Sequence, residues 1–198
     1  MKFKFNVVNI LFLLIHVFSY GQTSKSTMNY LNISGPLSFL NTSYNLVWSS
    51  HPSATYYKQE YIPTGDNVEK FSKMILMEVL VGDSKPFDLA SAKIAELKKL
   101  KETNSIINYE IFQKNGEYIL DFLISDNKPN GDINIIERNV YRYKSGKDKA
   151  GHTYVLLWGV SDRAYGVKTT GFLSNLKKNK SVLVNATAAY SIPLISLK

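Results

Sequence analysis

Apolar residues recur along this chain at two spacings, and the spacing separates strands from helices. Strand-like stretches occur at Tyr44–Trp48, at the tyrosine-rich Thr55–Ile62 and at Met74–Val81, a continuous apolar run broken by Glu78. Four more follow at Ser105–Gln113, Glu117–Ser125, Asp132–Tyr143 and His152–Asp162. In the last, Tyr154, Leu156, Trp158 and Val160 share one face, while Val155, Leu157, Gly159 and Ser161 share the other. Both faces carry apolar residues, so this strand is expected to be central and covered. Turn residues separate the runs: His51-Pro52-Ser53, Pro63-Thr64-Gly65-Asp66, Asn130-Gly131 and, between two strands, Asn115-Gly116. Asn-Gly in that setting is the strongest short-range hairpin signal.

Helical spacing appears in two long stretches. Pro86–Glu102 places Ala90, Ile94 and Leu97 on one face, flanked by Phe87 and Leu100. Proline suits its first turn, and Lys98, Lys99 and Lys101 suit the C-terminal end of the helix dipole. Thr169–Tyr190 aligns Phe172, Leu176 and Leu183, and Ser191-Ile192-Pro193 stops it. Asn67–Ser72 reads as one or two helical turns, capped by Asp66 or Asn67. Strands and helices are grouped rather than strictly alternating. The expected class is therefore α+β: a single antiparallel sheet of about six to seven strands packed against two main helices.

The N-terminus has its own pattern. Lys2 and Lys4 precede an apolar run from Val7 to Phe18, interrupted by Asn9 and His16, and Ser19-Tyr20-Gly21 closes it with small residues. Basic start, short apolar middle and small-residue exit are the layout of a cleavable secretory signal. The run is too short for a spanning helix, which needs about 20 residues. Residues 1–21 are thus expected to be a signal peptide, 22–35 a loose polar leader, and 36–198 a single domain. No cysteine stands at the expected cut before Gln22, so the product is expected in the periplasm or outside the cell, not lipid-anchored.

Composition narrows the classes further. The chain of 198 residues has a net charge of +8, and losing Lys2 and Lys4 leaves 22 basic against 16 acidic residues. The lysines are scattered apart from two helical clusters, without the concentrated stripe that nucleic acid requires. There is no cysteine, so neither disulfides nor thiolate metal sites are available. The 13 tyrosines and 10 phenylalanines suit a sheet-rich domain held by packing.

Candidate chemistry is sparse. His51 and His152 are the only histidines beyond the signal, and no Gly-x-Ser-x-Gly elbow is present. Two isolated histidines without cysteine offer no zinc site, and phosphate-binding glycine loops are absent. No metal and no cofactor is expected. Asp121 lies inside an apolar strand, where it either takes part in carboxylate chemistry or pairs with Arg138 or Arg142 of a neighbouring strand. Ser161-Asp162-Arg163-Ala164-Tyr165-Gly166 ends the best strand before the last helix. There Arg163 can grip a carboxylate or phosphate, or Asp162 and Arg163 can pair locally while Tyr165 packs and Gly166 turns the chain. The ligand or partner candidates are Asp121, His152, Asp162, Arg163 and Tyr165.

Two segments carry a likeness. Tyr57–Asp66 with Phe71-Ser72-Lys73-Met74, and Gly159–Gly166 followed by a helix and Ile192-Pro193, resemble stretches of uncharacterised exported proteins of Gram-negative bacteria. That resemblance implies no activity. The strand–helix–four-strand–helix order also resembles the fold of the photosystem accessory protein PsbP, shared by a nuclear-transport factor; those are binding and assembly factors. The expected function is a non-catalytic binding or assembly protein with a protein or small-molecule partner outside the cytoplasm. The alternatives are an exported hydrolase or small-ligand carrier built on the Asp121, His152 and Arg163 region. A deep pocket joining Asp121, Glu137, His152 and Arg163 favours the alternatives; the same groups paired or solvated favour the first reading.

Overall fold

The structure is a computed structural model and describes residues 27–198. The expected signal peptide lies outside the described residues. The class is α+β as expected, with one open antiparallel sheet and two helices. The strands are β1 (Leu37–Phe39), β2 (Thr42–Ser53), β3 (Tyr56–Pro63), β4 (Lys73–Val81), β5 (Asn108–Lys114), β6 (Glu117–Asn127), β7 (Ile133–Lys147) and β8 (Thr153–Tyr165). The helices are α1 (Pro86–Lys101) and α2 (Lys168–Ala189). Eight strands exceed the expected six to seven because a three-residue edge strand, β1, hairpins onto β2. Three residues are too few to show a period. The expected short helix at 67–72 is instead a turn loop: Asp66 takes the Ser72 N–H at 2.7 Å and its hydroxyl at 2.8 Å. Those bonds hold the loop without a helix and keep the Asp66 carboxyl below its ordinary range, although its partial burial pushes the other way.

The strand order is β1-β2-β3-β4-β8-β7-β6-β5. The last strand in sequence enters the middle, between β4 and β7, which its doubly apolar faces anticipate. The Asn115-Gly116 hairpin forms as expected, with both residues left-handed at φ 52° and 77°. β2 continues through His51-Pro52, where a turn was expected; a bulge between Ser50 and Ser53 accommodates the proline.

Period-two alternation sends alternate side chains to two faces, and each face has its own core. On one face, α1 packs over β5, β6 and β7, burying Ala90 and Leu97 against Leu120, Phe122, Tyr143 and Leu157. α1 starts on Pro86, with the Asp88 carboxylate accepting the Lys85 N–H at 2.9 Å. On the other face, α2 packs over β6, β7 and β8, where Leu183 meets Val140, Trp158 and Val160. Trp158 is fully buried and stacks on Tyr190 with ring centres 4.4 Å apart. Beyond α2, the two terminal segments cover this face of β1–β4. Leu31 and Ile33, in the stretch expected to be a loose leader, are buried there with Ile195. The Leu31 N–H donates to Gln59 Oε1 at 2.7 Å, and Ser196 N–H to the Leu31 carbonyl at 3.1 Å. Two apolar side chains alternating in a polar stretch were enough to dock it.

Among the described residues, nothing comparable covers the α1 face of β2 and β3; on β4 Leu76 still joins the core under α1, and Lys93 of α1 acts on Glu78. The loop ending at Phe71 closes one end, over Ile62 and Met74, and the rest is left to long side chains of the sheet itself.

Candidate functional site

The five expected site residues fall in three separate places. Asp121 lies on the α2 face and is buried, paired through both carboxylate oxygens with Arg138 at 2.9 Å each. The register explains the pairing: Asp121 sits opposite Val140, so Arg138 is its diagonal neighbour on the same face. Arg138 also donates to the Lys180 carbonyl, next to the break in α2 at Asn179. One turn of pleat further along, Glu117 takes the Arg142 Nε–H at 2.7 Å, and Arg142 donates to the Thr187 and Tyr190 carbonyls at 3.2 and 2.9 Å. The last carbonyls of a helix have no partner inside it, so Arg142 caps α2 while Arg138 fastens its middle. Burial is the largest single influence on the Glu117 carboxyl and pushes its pKa up, but the hydrogen bonds and charges of Arg142 and Lys144 together outweigh it and hold the group below its ordinary range. Both arginines are committed to helix docking.

Asp162 shares the α2 face, opposite Lys73 on β4 and Arg138 on β7. Burial raises its carboxyl pKa, and those two cations pull it down without cancelling the rise. Arg163 points to the α1 face, ion-paired with Glu137 and lying 3.9 Å above the Phe71 ring. Tyr165, two residues on, donates to the Phe71 carbonyl at 2.9 Å. Asp162 to Tyr165 were expected at a strand-to-helix corner; they lie inside β8, which runs to Tyr165. Alternation therefore sends Asp162 and Arg163 to opposite faces, and they cannot pair with each other. His152 is exposed at the β7–β8 turn, its Nδ1 2.9 Å from Asp148. Asp148 also accepts the Ala150 and His152 N–H groups, a compact turn motif, and these bonds with the imidazole hold its carboxyl low.

The structure brings together a different group. On the open α1 face, Lys58 on β3 lies 3.1 Å from Glu60 and 3.9 Å from Glu78 on β4, and its ammonium sits 5.6 Å from the centre of the Trp48 ring. The register places Lys58 opposite Glu78, and Glu60 opposite both Trp48 and Leu76. Burial raises the Glu78 carboxyl pKa, only partly offset by Lys58. The Tyr56 hydroxyl is buried beside Glu78 without a well-formed hydrogen bond, and burial next to that carboxylate pushes its pKa far up. Trp48 is 40% exposed. Sequence reasoning missed this cluster, although Glu78 interrupting an apolar strand was its visible trace.

Two open surface depressions, of about 440 and 500 Å³, lie at Gly82–Lys85 with Tyr154 and at Lys98–Glu102 with Tyr109. Neither is lined by Asp121, Glu137, His152 or Arg163. Among the described residues, no three His, Asp or Glu side chains converge as a metal site would need. No described helix is long and apolar enough to cross a membrane.

Residues 31–192 match the model of an uncharacterised protein family. The chain belongs to that family. The match begins at the first buried residue of the N-terminal segment and ends beyond α2, so it spans the whole sheet and both helices. No curated protein and no solved structure matches the chain.

Proposed function

We propose that this family member is an exported, non-catalytic binding protein whose contact surface is the half of the α1 face left open over β2 and β3. The observation that carries the reading is the fate of the charged groups. Asp121, Glu117 and Glu137 are each occupied by an arginine, two of those arginines also hold α2, and the Glu137 pair lies on the opposite face from the other two. The open half instead offers Trp48, an aromatic of the kind enriched at protein contacts, with Lys58, Glu60 and Glu78 beside it as the polar groups of a contact rim. The element order from β4 to α2 is the one on which the likeness to PsbP rests, and it agrees with a binding role. Export is supported by the N-terminal pattern.

Cross-linking of the tagged protein in the exported fraction tests the binding reading. A stoichiometric partner that is captured by the wild type and lost with Trp48→Ala or Lys58→Glu is the expected result. Turnover of a substrate from a hydrolase panel, abolished by Asp121→Asn or Arg163→Ala, would overturn it. Mass spectrometry of the exported product is expected to show a start at Gln22, and an intact Met1 confined to the cytoplasm contradicts export.

A further inference from the structure

The sheet has two edges of unequal quality. β1 offers three residues, whereas β5 offers seven and pairs with β6 in unbroken register from Asn108 opposite Leu123 to Lys114 opposite Glu117. No described strand lies beyond β5. Edge strands are normally blunted by brevity, proline, a bulge, charged side chains or a covering element. β5 has neither proline nor bulge, its two charges, Glu110 and Lys114, are opposite in sign, and it exposes Ile111 and Phe112, each at 43%.

The hairpin fixes which backbone groups face outward. Lys114 and Glu117 close a two-residue turn, so they form a hydrogen-bonded pair, and bonded pairs then alternate along β5. Lys114, Phe112 and Glu110 therefore spend their backbone groups on β6, while Gln113, Ile111 and Tyr109 present theirs outward. An antiparallel second β5 centred on Phe112 meets every one of these constraints. It sets Ile111 opposite Gln113, both with outward groups, so that the ladder continues. It sets Phe112 against Phe112, and Glu110 against Lys114 at both ends. These are non-bonded positions, where facing Cα atoms approach to about 4.5 Å and side chains interact most. Moving the centre to Ile111 puts Glu110 against Phe112 and Lys114 against Asn108, and both ion pairs are lost. In the single chain Glu110 is 2.6 Å from Lys180, but both side chains are half exposed, so exchanging that contact costs little.

We propose that two copies of this chain pair β5 to β5 about Phe112, with Glu110 of each copy against Lys114 of the other, to form one continuous antiparallel sheet. The seam is short against the standard interface of about 1,600 Å², so association is expected to depend on concentration. The two-fold is perpendicular to the sheet and leaves both open α1 faces on the same side, one at each end.

Sedimentation equilibrium of the mature chain, from about 10 µM to about 1 mM, tests this over the range where weak dimers form. The wild type is expected to shift from monomer to dimer. E110K and K114E each replace two attractions by two repulsions and are expected to weaken association about tenfold or more. Mixing the two variants makes both facing pairs attractive again and is expected to restore a heterodimer. The double variant E110K/K114E is expected to dimerise like the wild type. All four chains are compared by circular dichroism and melting temperature, because the substituted positions are exposed and folding is expected to be unchanged. A wild type that stays monomeric at the top of the range, a dimer indifferent to both swaps, or variants that do not pair on mixing would each overturn the proposal.

Discussion

Removing the Asp121 carboxylate is expected to be the most damaging single polar change in the sheet. In Asp121→Ala, Arg138 stays behind at 4% exposure, keeping the Lys180 carbonyl as its hydrogen-bond partner and the Asp162 carboxyl opposite it but losing the bidentate pair. Stranding one member of a buried ion pair costs about 3–5 kcal/mol, because the remaining charge has lost both its partner and its water. For a domain of this size each kcal/mol lowers the melting temperature by roughly 2–4 °C, so a fall of about 6–20 °C is expected. Replacing both members by apolar residues, as in Asp121→Leu with Arg138→Met, removes the stranded charge. That pair of changes is expected to recover most of the loss, leaving about 1–2 kcal/mol for the unsatisfied Lys180 carbonyl. Glu117→Gln is the control: Glu117 is 30% exposed, and its loss is expected to cost under about 1 kcal/mol. Urea denaturation of the four chains measures all of this. A loss below about 1 kcal/mol for Asp121→Ala, or a double variant no more stable than Asp121→Ala, would refute the account of a stranded buried charge.

Two further changes probe the α1 face. A Cβ added at Gly159 would sit 2.9 Å from Tyr141 Cε1, 3.0 Å from its Cδ1 and 3.2 Å from Leu157 Cδ2; Gly159→Ala is therefore expected to cost about 1–3 kcal/mol by overpacking, and an unchanged melting temperature would mean that the Tyr141 ring moves freely. Glu78→Gln is expected to raise the melting temperature at pH 7, because the folded state raises the Glu78 pKa above its ordinary 4.5 and so disfavours the charged form that prevails above it. Well below pH 4.5 the Glu78 carboxyl is protonated in both states and the gain is expected to vanish. A Glu78→Gln gain that persists at low pH would assign the effect to something other than charge.

Much of the fold was legible because it is written in local pattern. The Asn115-Gly116 hairpin follows from two left-handed residues that few others tolerate. The central place of β8 follows from apolar residues on both its faces. α1 follows from proline at its start, a carboxylate in its first turn and lysines in its last. The candidate site was less legible, and the reason is alternation. Asp162 and Arg163 are adjacent in sequence, so a strand must send them to opposite faces, and only the true end of β8 at Tyr165 revealed that they lie in a strand. Asp121 and Glu137 were gathered into one imagined pocket, yet they stand on opposite faces of neighbouring strands. His152 and Asp148 answer only to each other and their turn.

The sequence by itself therefore determined the elements and their class, because period, turn residues and helix ends are properties of a few neighbouring residues. The tertiary structure decided which charges meet. Lys58 and Glu78 are twenty positions apart and became neighbours through the β3–β4 register; Arg142 and the Tyr190 carbonyl are forty-eight apart and met because α2 crosses the sheet. Such pairings depend on strand order and register, which are set by the summed burial of both faces rather than by any local signal.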